Sequence, residues 1–115
     1  MRGQEEIQII MNSFTTRCKE LFGHRLLEVR LYGSYARGDQ EEYSDIDLLV
    51  LIDTDGIEAR KYLSPVCGIA SDISLEHNGI DLSPFICGKD QYDKLKSFPG
   101  FYNSIFNEGI SVYAG

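Results

Sequence analysis

Apolar residues recur at Ile7, Ile10, Met11, Phe14, Cys18, Leu21 and Phe22. Steps of three and four put them on one face of a helix, which predicts a helix over 4–22 stopped by Gly23. From Leu26 to Tyr32 the period becomes two. Leu27, Val29 and Leu31 share one face and Glu28 and Arg30 the other, the pattern of a half-buried strand. Residues 45–53 read differently. Leu48-Leu49-Val50-Leu51-Ile52 is continuously apolar, so this second strand is expected to be covered on both faces. Asp53-Thr54-Asp55-Gly56 supplies a turn after it.

A short helix is expected through Leu63, followed by a second that Ser64 caps, with Pro65 at its first position. Val66, Ile69, Ala70 and Ile73 form the buried face of that helix, and Asn78-Gly79 ends it in a left-handed conformation. Ile80–Cys87 reads as a third strand and 90–96 as one or two helical turns. Phe98-Pro99-Gly100 breaks the chain. A last short helix runs to about Asn107, Gly109 closes it, and 110–113 predicts a final short strand. Helices and strands alternate throughout, which places the chain in the α/β (α+β) class.

Length and charge narrow the possible functions. At 115 residues the chain is expected to be one domain spanning 1–115. Eleven Lys and Arg against 18 Asp and Glu give a formal charge of −7. That disfavours gripping nucleic acid by charge alone, and it disfavours anionic membrane surfaces. No apolar run is long enough to span a membrane, and Met1-Arg2-Gly3-Gln4-Glu5-Glu6 lacks the apolar stretch of a signal peptide. Cys18, Cys67 and Cys87 are odd in number and unpaired in spacing, and His24 and His77 lie far apart. A disulfide framework and a zinc knuckle are therefore not expected, the cysteines read as small core residues, and a reducing cytoplasm is the expected location.

The chemistry concentrates in L-Y-G-S-Y-A-R-G-D-Q-E-E-Y-S-D-I-D-L-L-V, residues 31–50. Gly33-Ser34 ends the first strand and opens a helical turn. A glycine there lets backbone approach a ligand closely, and the N–H groups of a helix start favour phosphate. Either half alone is weak evidence, because a Gly-Ser pair also makes an ordinary turn. Asp45 and Asp47 enter the apolar second strand. Residues i and i+2 point to one face, so the two carboxylates are neighbours and suit a hard cation such as Mg²⁺ or Mn²⁺. A solvated strand entrance is the plainer reading of that pair.

In combination, G-S-Y-A-R-G-D followed by S-D-I-D-L-L-V resembles the minimal nucleotidyltransferases of the DNA polymerase beta-like superfamily. The resemblance continues weakly along the chain to I-F-N-E-G-I-S-V-Y. It implies a small mixed β-sheet packed with helices, a palm-like fold. It also implies transfer of a nucleoside monophosphate, AMP first among the candidates, from a nucleoside triphosphate to an acceptor with release of pyrophosphate. By position, Gly33 and Ser34 would hold the β- and γ-phosphates, and Asp45 and Asp47 would ligate two Mg²⁺ ions, with Mn²⁺ the other candidate. Asp81 is the match for the third carboxylate, as metal ligand and proton acceptor. That match is looser and depends on which way Asp81 points. Arg37 either touches phosphate or pairs with Asp39 or Glu41. Ser44 is expected to orient the Asp45 loop, Tyr35 to pack or to stack on a base, and Lys89 and Lys94 to be surface lysines.

Many small members of the superfamily are antitoxins beside an all-helical partner, which implies a toxin–antitoxin role here. Only 34 residues follow Asp81, too few for an acceptor-binding domain, so the acceptor is expected on a partner protein or a second copy of the chain. The aromatic-rich C-terminal third, with Phe85, Phe98, Phe101, Tyr102, Phe106 and Tyr113, suits either an interface or cover for the sheet. The competing reading is a catalytically weak or inactive module of the same fold that masks a helical partner. A transferase acting on small molecules is less favoured, because it needs an acceptor pocket of its own.

Overall fold

The strands Leu26–Tyr32 (β1), Ile46–Ile52 (β2), Leu82–Gly88 (β3) and Ile110–Ala114 (β4) form one sheet in the order β3-β2-β1-β4. β1 runs antiparallel to both neighbours, and β2 pairs parallel with β3, so the sheet is mixed, as expected. This computed structural model describes residues 3–115. Met1 and Arg2, which open the N-terminal segment discussed above, lie outside the described residues.

β2 is central, and every residue of it except Asp47 is buried. Helices explain the burial. Gln4–Phe22 (α1) and, after the short helices Ser34–Arg37 (α2) and Gly56–Arg60 (α3), Leu63–Glu76 (α4) cover one face. There Ile10, Phe14, Cys18, Val66 and Ile73 pack with Val29, Leu48, Val50 and Ile52. The opposite face carries Leu49, Leu51 and Cys87. It is sealed by Ile105, Tyr92 and Phe106 from the C-terminal segment. That segment comprises Lys89–Leu95 (α5), Pro99–Phe101 (α6) and a wider π-type turn over Tyr102–Asn107. The unbroken apolar run of β2 is thus the consequence of two covered faces. Full burial of a side chain such as Leu49 contributes about 1.5–3 kcal/mol.

The C-terminal segment is tied down by polar contacts as well. Arg30, on β1, donates from Nε to the carbonyl of Ile105 (3.0 Å) and from Nη2 to that of Gly109 (3.2 Å). Its Nη1 donates to Glu28 Oε2 at 3.0 Å, and the Tyr92 hydroxyl donates to Glu28 Oε1 at 3.0 Å. Gly109 allows the tight return into β4, since a Cβ there would run into the carbonyl oxygens of Ile105 and Leu31.

Four local expectations change. A β-bulge between Leu26 and Glu28 resets the alternation, so Leu27 packs with the second face while Val29 and Leu31 stay on the first. Ser64 is not the cap of α4. The helix starts two residues after Lys61 with Tyr62 at the cap position, and its first i→i−4 bond runs from Val66 N to Tyr62 O (3.0 Å). Pro65 falls within the first turn, where no N–H is required. β3 begins at Leu82 rather than Ile80. Ile80 instead packs into the α1–α4 face, and Asp81 precedes the strand. Cys67 is exposed, unlike Cys18 and Cys87. Burial pushes both of those thiols up to about 12. Among the described residues no helix is long and apolar enough to cross a membrane.

Candidate active site

The antiparallel pairing of β1 with β2 sets Tyr32 opposite Asp47. The residue after Tyr32 therefore passes directly over the Asp47 side chain. That residue is Gly33, with φ 75° and ψ −153°, a region L side chains rarely adopt. A Cβ on Gly33 would overlap Asp47 Oδ2 and lie 3.2 Å from its Cγ. Glycine is therefore required twice over, by backbone conformation and by the close approach of the carboxylate.

From Gly33 the chain turns at once into α2. Its carbonyl accepts from the amides of Ala36 and Arg37, both at 3.1 Å, and Gly38 ends the turn in a left-handed conformation. The loop back to β2 is fixed by Ser44. Its hydroxyl accepts from the Glu41 amide at 2.8 Å, and its own amide donates to the Glu41 carbonyl at 3.1 Å. Ser44 thus orients the entry of Asp45 as expected, and Glu41 is used in this turn. Tyr35 packs against the core, the first of its two expected roles.

Asp45 is exposed and Asp47 half-buried. Alternation puts both on the face of Leu49 and Leu51. The Asp47 carboxyl is raised above its ordinary range, first by burial and then by the negative charge of Asp45, with Arg37 acting in the opposite sense. The Tyr32 hydroxyl is pushed up to about 12 by burial and by Asp47. A half-buried carboxylate whose proton affinity is raised by burial and by a neighbouring negative charge marks a site where a cation relieves a built-in cost. The donor set also fits Mg²⁺, which is commonly held by one or two carboxylates with substrate phosphates and water completing the shell.

Asp81 adjoins this pair through the backbone. The Ile46 amide donates to the Asp81 carbonyl at 2.9 Å, and the parallel register continues as Asp47 beside Ser83. The Asp81 residue is exposed and lines a cavity of about 490 Å³ with Glu42, Tyr43, Ser44 and Asn78. Among the described residues no three His, Cys, Asp or Glu side chains are grouped closely enough to share a metal. Asp45 and Asp47 are therefore adjacent on one strand face, while Asp81 stands at the neighbouring strand entrance.

Arg37 is held by carboxylates on either side. Its Nε donates to Asp39 Oδ2 at 3.1 Å, and its Nη1 faces Glu108 Oε2 at 3.5 Å. Asp39 was an expected partner and Glu108 was not. The I-F-N-E-G-I-S-V-Y segment was visible as a motif, but only the β1–β4 pairing brings it to α2. Lys89 pairs with Asp53 at 3.0 Å, far from the glycine, at the other end of β2.

Comparison with known proteins agrees with this geometry. The model of the nucleotidyltransferase domain family matches residues 11–110. A relative from Methanocaldococcus jannaschii that carries the name protein adenylyltransferase is 35% identical over 69% of this chain. The match spans 63% of that relative's length. A second M. jannaschii protein of the same name is 34% identical over 93% of this chain and 99% of its own. The fold is that of a chain in the solved complex of tri-AMPylated Shewanella oneidensis HEPN toxin with MNT antitoxin. That likeness has a TM-score of 0.51 and 14% identity, covering 94% of this chain and 72% of the other.

Proposed function

The chain belongs to the nucleotidyltransferase domain family, and from that premise we propose that it moves AMP from ATP to a hydroxyl on a partner protein. The close approach of Gly33 to Asp47 carries this reading, because it sets a backbone suited to phosphate against a carboxylate suited to a cation. Gly33 and Ser34, with Arg37, bind the β- and γ-phosphates and fix the triphosphate along the end of β1. Asp45 and Asp47 hold Mg²⁺. When bound, the metal neutralises charge on the triphosphate and on the leaving pyrophosphate. Residues on the protein side then mainly position the reactants. The acceptor oxygen attacks the α-phosphorus, its bond to the bridging oxygen of pyrophosphate breaks, and Asp81 at the neighbouring strand entrance receives the acceptor proton.

The acceptor is proposed to be a protein, because the cleft beside Asp81 is open and the net negative charge disfavours a nucleic-acid acceptor. The complex of an AMPylated toxin with an antitoxin in the S. oneidensis neighbour supports a toxin–antitoxin role, with a helical partner the first expectation and a second copy of this chain the other. A cytoplasmic setting fits that role.

The test is to incubate the protein with α-labelled nucleoside triphosphates and Mg²⁺, with and without the product of the neighbouring gene. Label on that product, lost in Asp45→Asn, supports the reading. A stable complex with no transfer from any triphosphate replaces it with the masking module.

A further inference from the structure

Glu108 lies on the turn between the C-terminal helix and β4, outside the motif that marks the site, yet its carboxylate reaches the phosphate loop. Oε2 faces Arg37 Nη1 at 3.5 Å, and Oε1 accepts from Asn103 Nδ2 at 2.7 Å. The Glu108 amide donates to the Asn103 carbonyl at 2.9 Å, so side chain and backbone of Glu108 are both fixed on the same turn. That turn is anchored in its own right. Arg30 binds the carbonyl of Ile105 within it and that of Gly109 just after it, and Gly109 leaves no room for a side chain. The result is a continuous chain of contacts from Arg30 in the sheet through the Asn103–Glu108 turn to Arg37.

We infer that Glu108 is a positioning residue for triphosphate binding, acting through Arg37. A guanidinium has five donors in a rigid plane. Asp39 accepts from Nε and the Glu108 carboxylate faces Nη1 at 3.5 Å as an ion pair, which orients the plane and leaves further donors for phosphate oxygens. Asp39 alone, two residues from Arg37 in an exposed loop, constrains one edge of that plane. Glu108 adds a second constraint from an element that is itself immobilised. Orientation set before the ligand arrives lowers the ordering cost of binding. The inference rests on the reading that Arg37 meets the triphosphate.

The experiment is a double-mutant cycle on Mg²⁺-dependent binding of a non-hydrolysable ATP analogue, followed by calorimetry. Glu108→Gln keeps the shape and the bond from Asn103 while removing the charge. It is expected to weaken binding between about twofold and fivefold, the range of a partly exposed ion pair. The same substitution made on Arg37→Ala is expected to have no effect. In the transfer assay Glu108→Gln raises KM for the triphosphate while kcat at saturation holds. Asn103→Ala, which releases Glu108 without changing charge, is expected to weaken binding in the same direction. Glu58→Gln, a charge removal on α3 beside Lys61, serves as the control for net charge and leaves affinity unchanged. Unchanged or tighter binding in Glu108→Gln overturns the inference, as does an equal loss in the Arg37→Ala background. If Arg37→Ala itself leaves binding unchanged, the failure lies instead in the assignment of Arg37 to the phosphates.

Discussion

Gly33 and Asp47 compete for one volume: the space a Cβ would take on the first is filled by the carboxylate of the second. Gly33→Ala therefore meets two obstacles. The positive-φ backbone, in a region that is essentially glycine-only, costs an L residue about 1–3 kcal/mol, and the new methyl displaces the Asp47 side chain. The expected outcome is a domain that still folds, with its melting temperature lowered by several degrees, and that has lost AMP transfer. Thermal unfolding and the labelled-triphosphate assay, run on one preparation, measure both. Full activity in Gly33→Ala would refute this account of the crevice.

Asp47 also makes stability depend on pH. Its carboxyl is raised in the fold above its ordinary value of 3.8. The folded state therefore holds a proton that the unfolded chain has already lost, and stability falls as pH rises from about 3.8 through the raised value. Above that window the metal-free protein carries the full cost of the charged pair. Mg²⁺ is expected to raise the melting temperature more at pH 7.5 than at pH 4.5. Asp47→Asn is expected to be at least as stable as the parent without metal at pH 7.5 and to gain nothing from Mg²⁺. A melting series with and without Mg²⁺ at the two pH values reads this directly.

Asp81→Asn separates binding from transfer. Asp81 stands outside the Asp45–Asp47 pair and faces an open cavity. Affinity for the Mg²⁺–triphosphate complex is expected to stay within about twofold, less than the loss of one exposed ion pair would produce. Transfer to the acceptor is expected to fall by about two orders of magnitude, the usual contribution of a general base. Loss of nucleotide affinity in this variant would place Asp81 with the metal ligands instead.

Arg30→Met tests the anchor of the C-terminal segment. It leaves Glu28, 14% exposed, without its cation, and it leaves the carbonyls of Ile105 and Gly109 without their donor. A loss of about 2–3 kcal/mol is expected in urea unfolding. Hydrogen exchange is expected to speed up in residues 105–114 more than in β2. Glu28→Gln, which still accepts from Tyr92, should cost less.

How much the sequence could reveal varied by element, for physical reasons. The run Leu48–Ile52 and the alternation of Val29 and Leu31 locate β2 and β1 correctly, because burial on two faces and on one face leave different patterns. Leu27 misled because a bulge shifts the pleat without altering composition. Ser64 is a good cap residue, but Tyr62 already occupies the cap position and Val66 makes its bond to it. Gly33, Ser34, Asp45 and Asp47 were legible as a candidate site because they lie at the facing ends of two adjacent strands joined by a short connection. Glu108 was not legible as a partner of Arg37, since the two are distant in sequence and meet only once β4 has paired with β1.

The position of β4 beside β1 has a consequence for the order in which the protein is made. Gly33, Asp45 and Asp47 lie on a hairpin that leaves the ribosome early and can pair from local contacts. Its second face is covered only in part, by Tyr92 and Leu95 of α5, until Ile105 and Phe106 arrive, and Arg37 lacks its outer carboxylate until Glu108 does. A chain stalled at residue 100 would carry Gly33, Ser34, Asp45, Asp47 and Asp81 and still present a partly open apolar surface, with Arg37 held by Asp39 alone. Synthesis itself would then act as a timer, withholding the fully ordered candidate site until β4 has paired with β1.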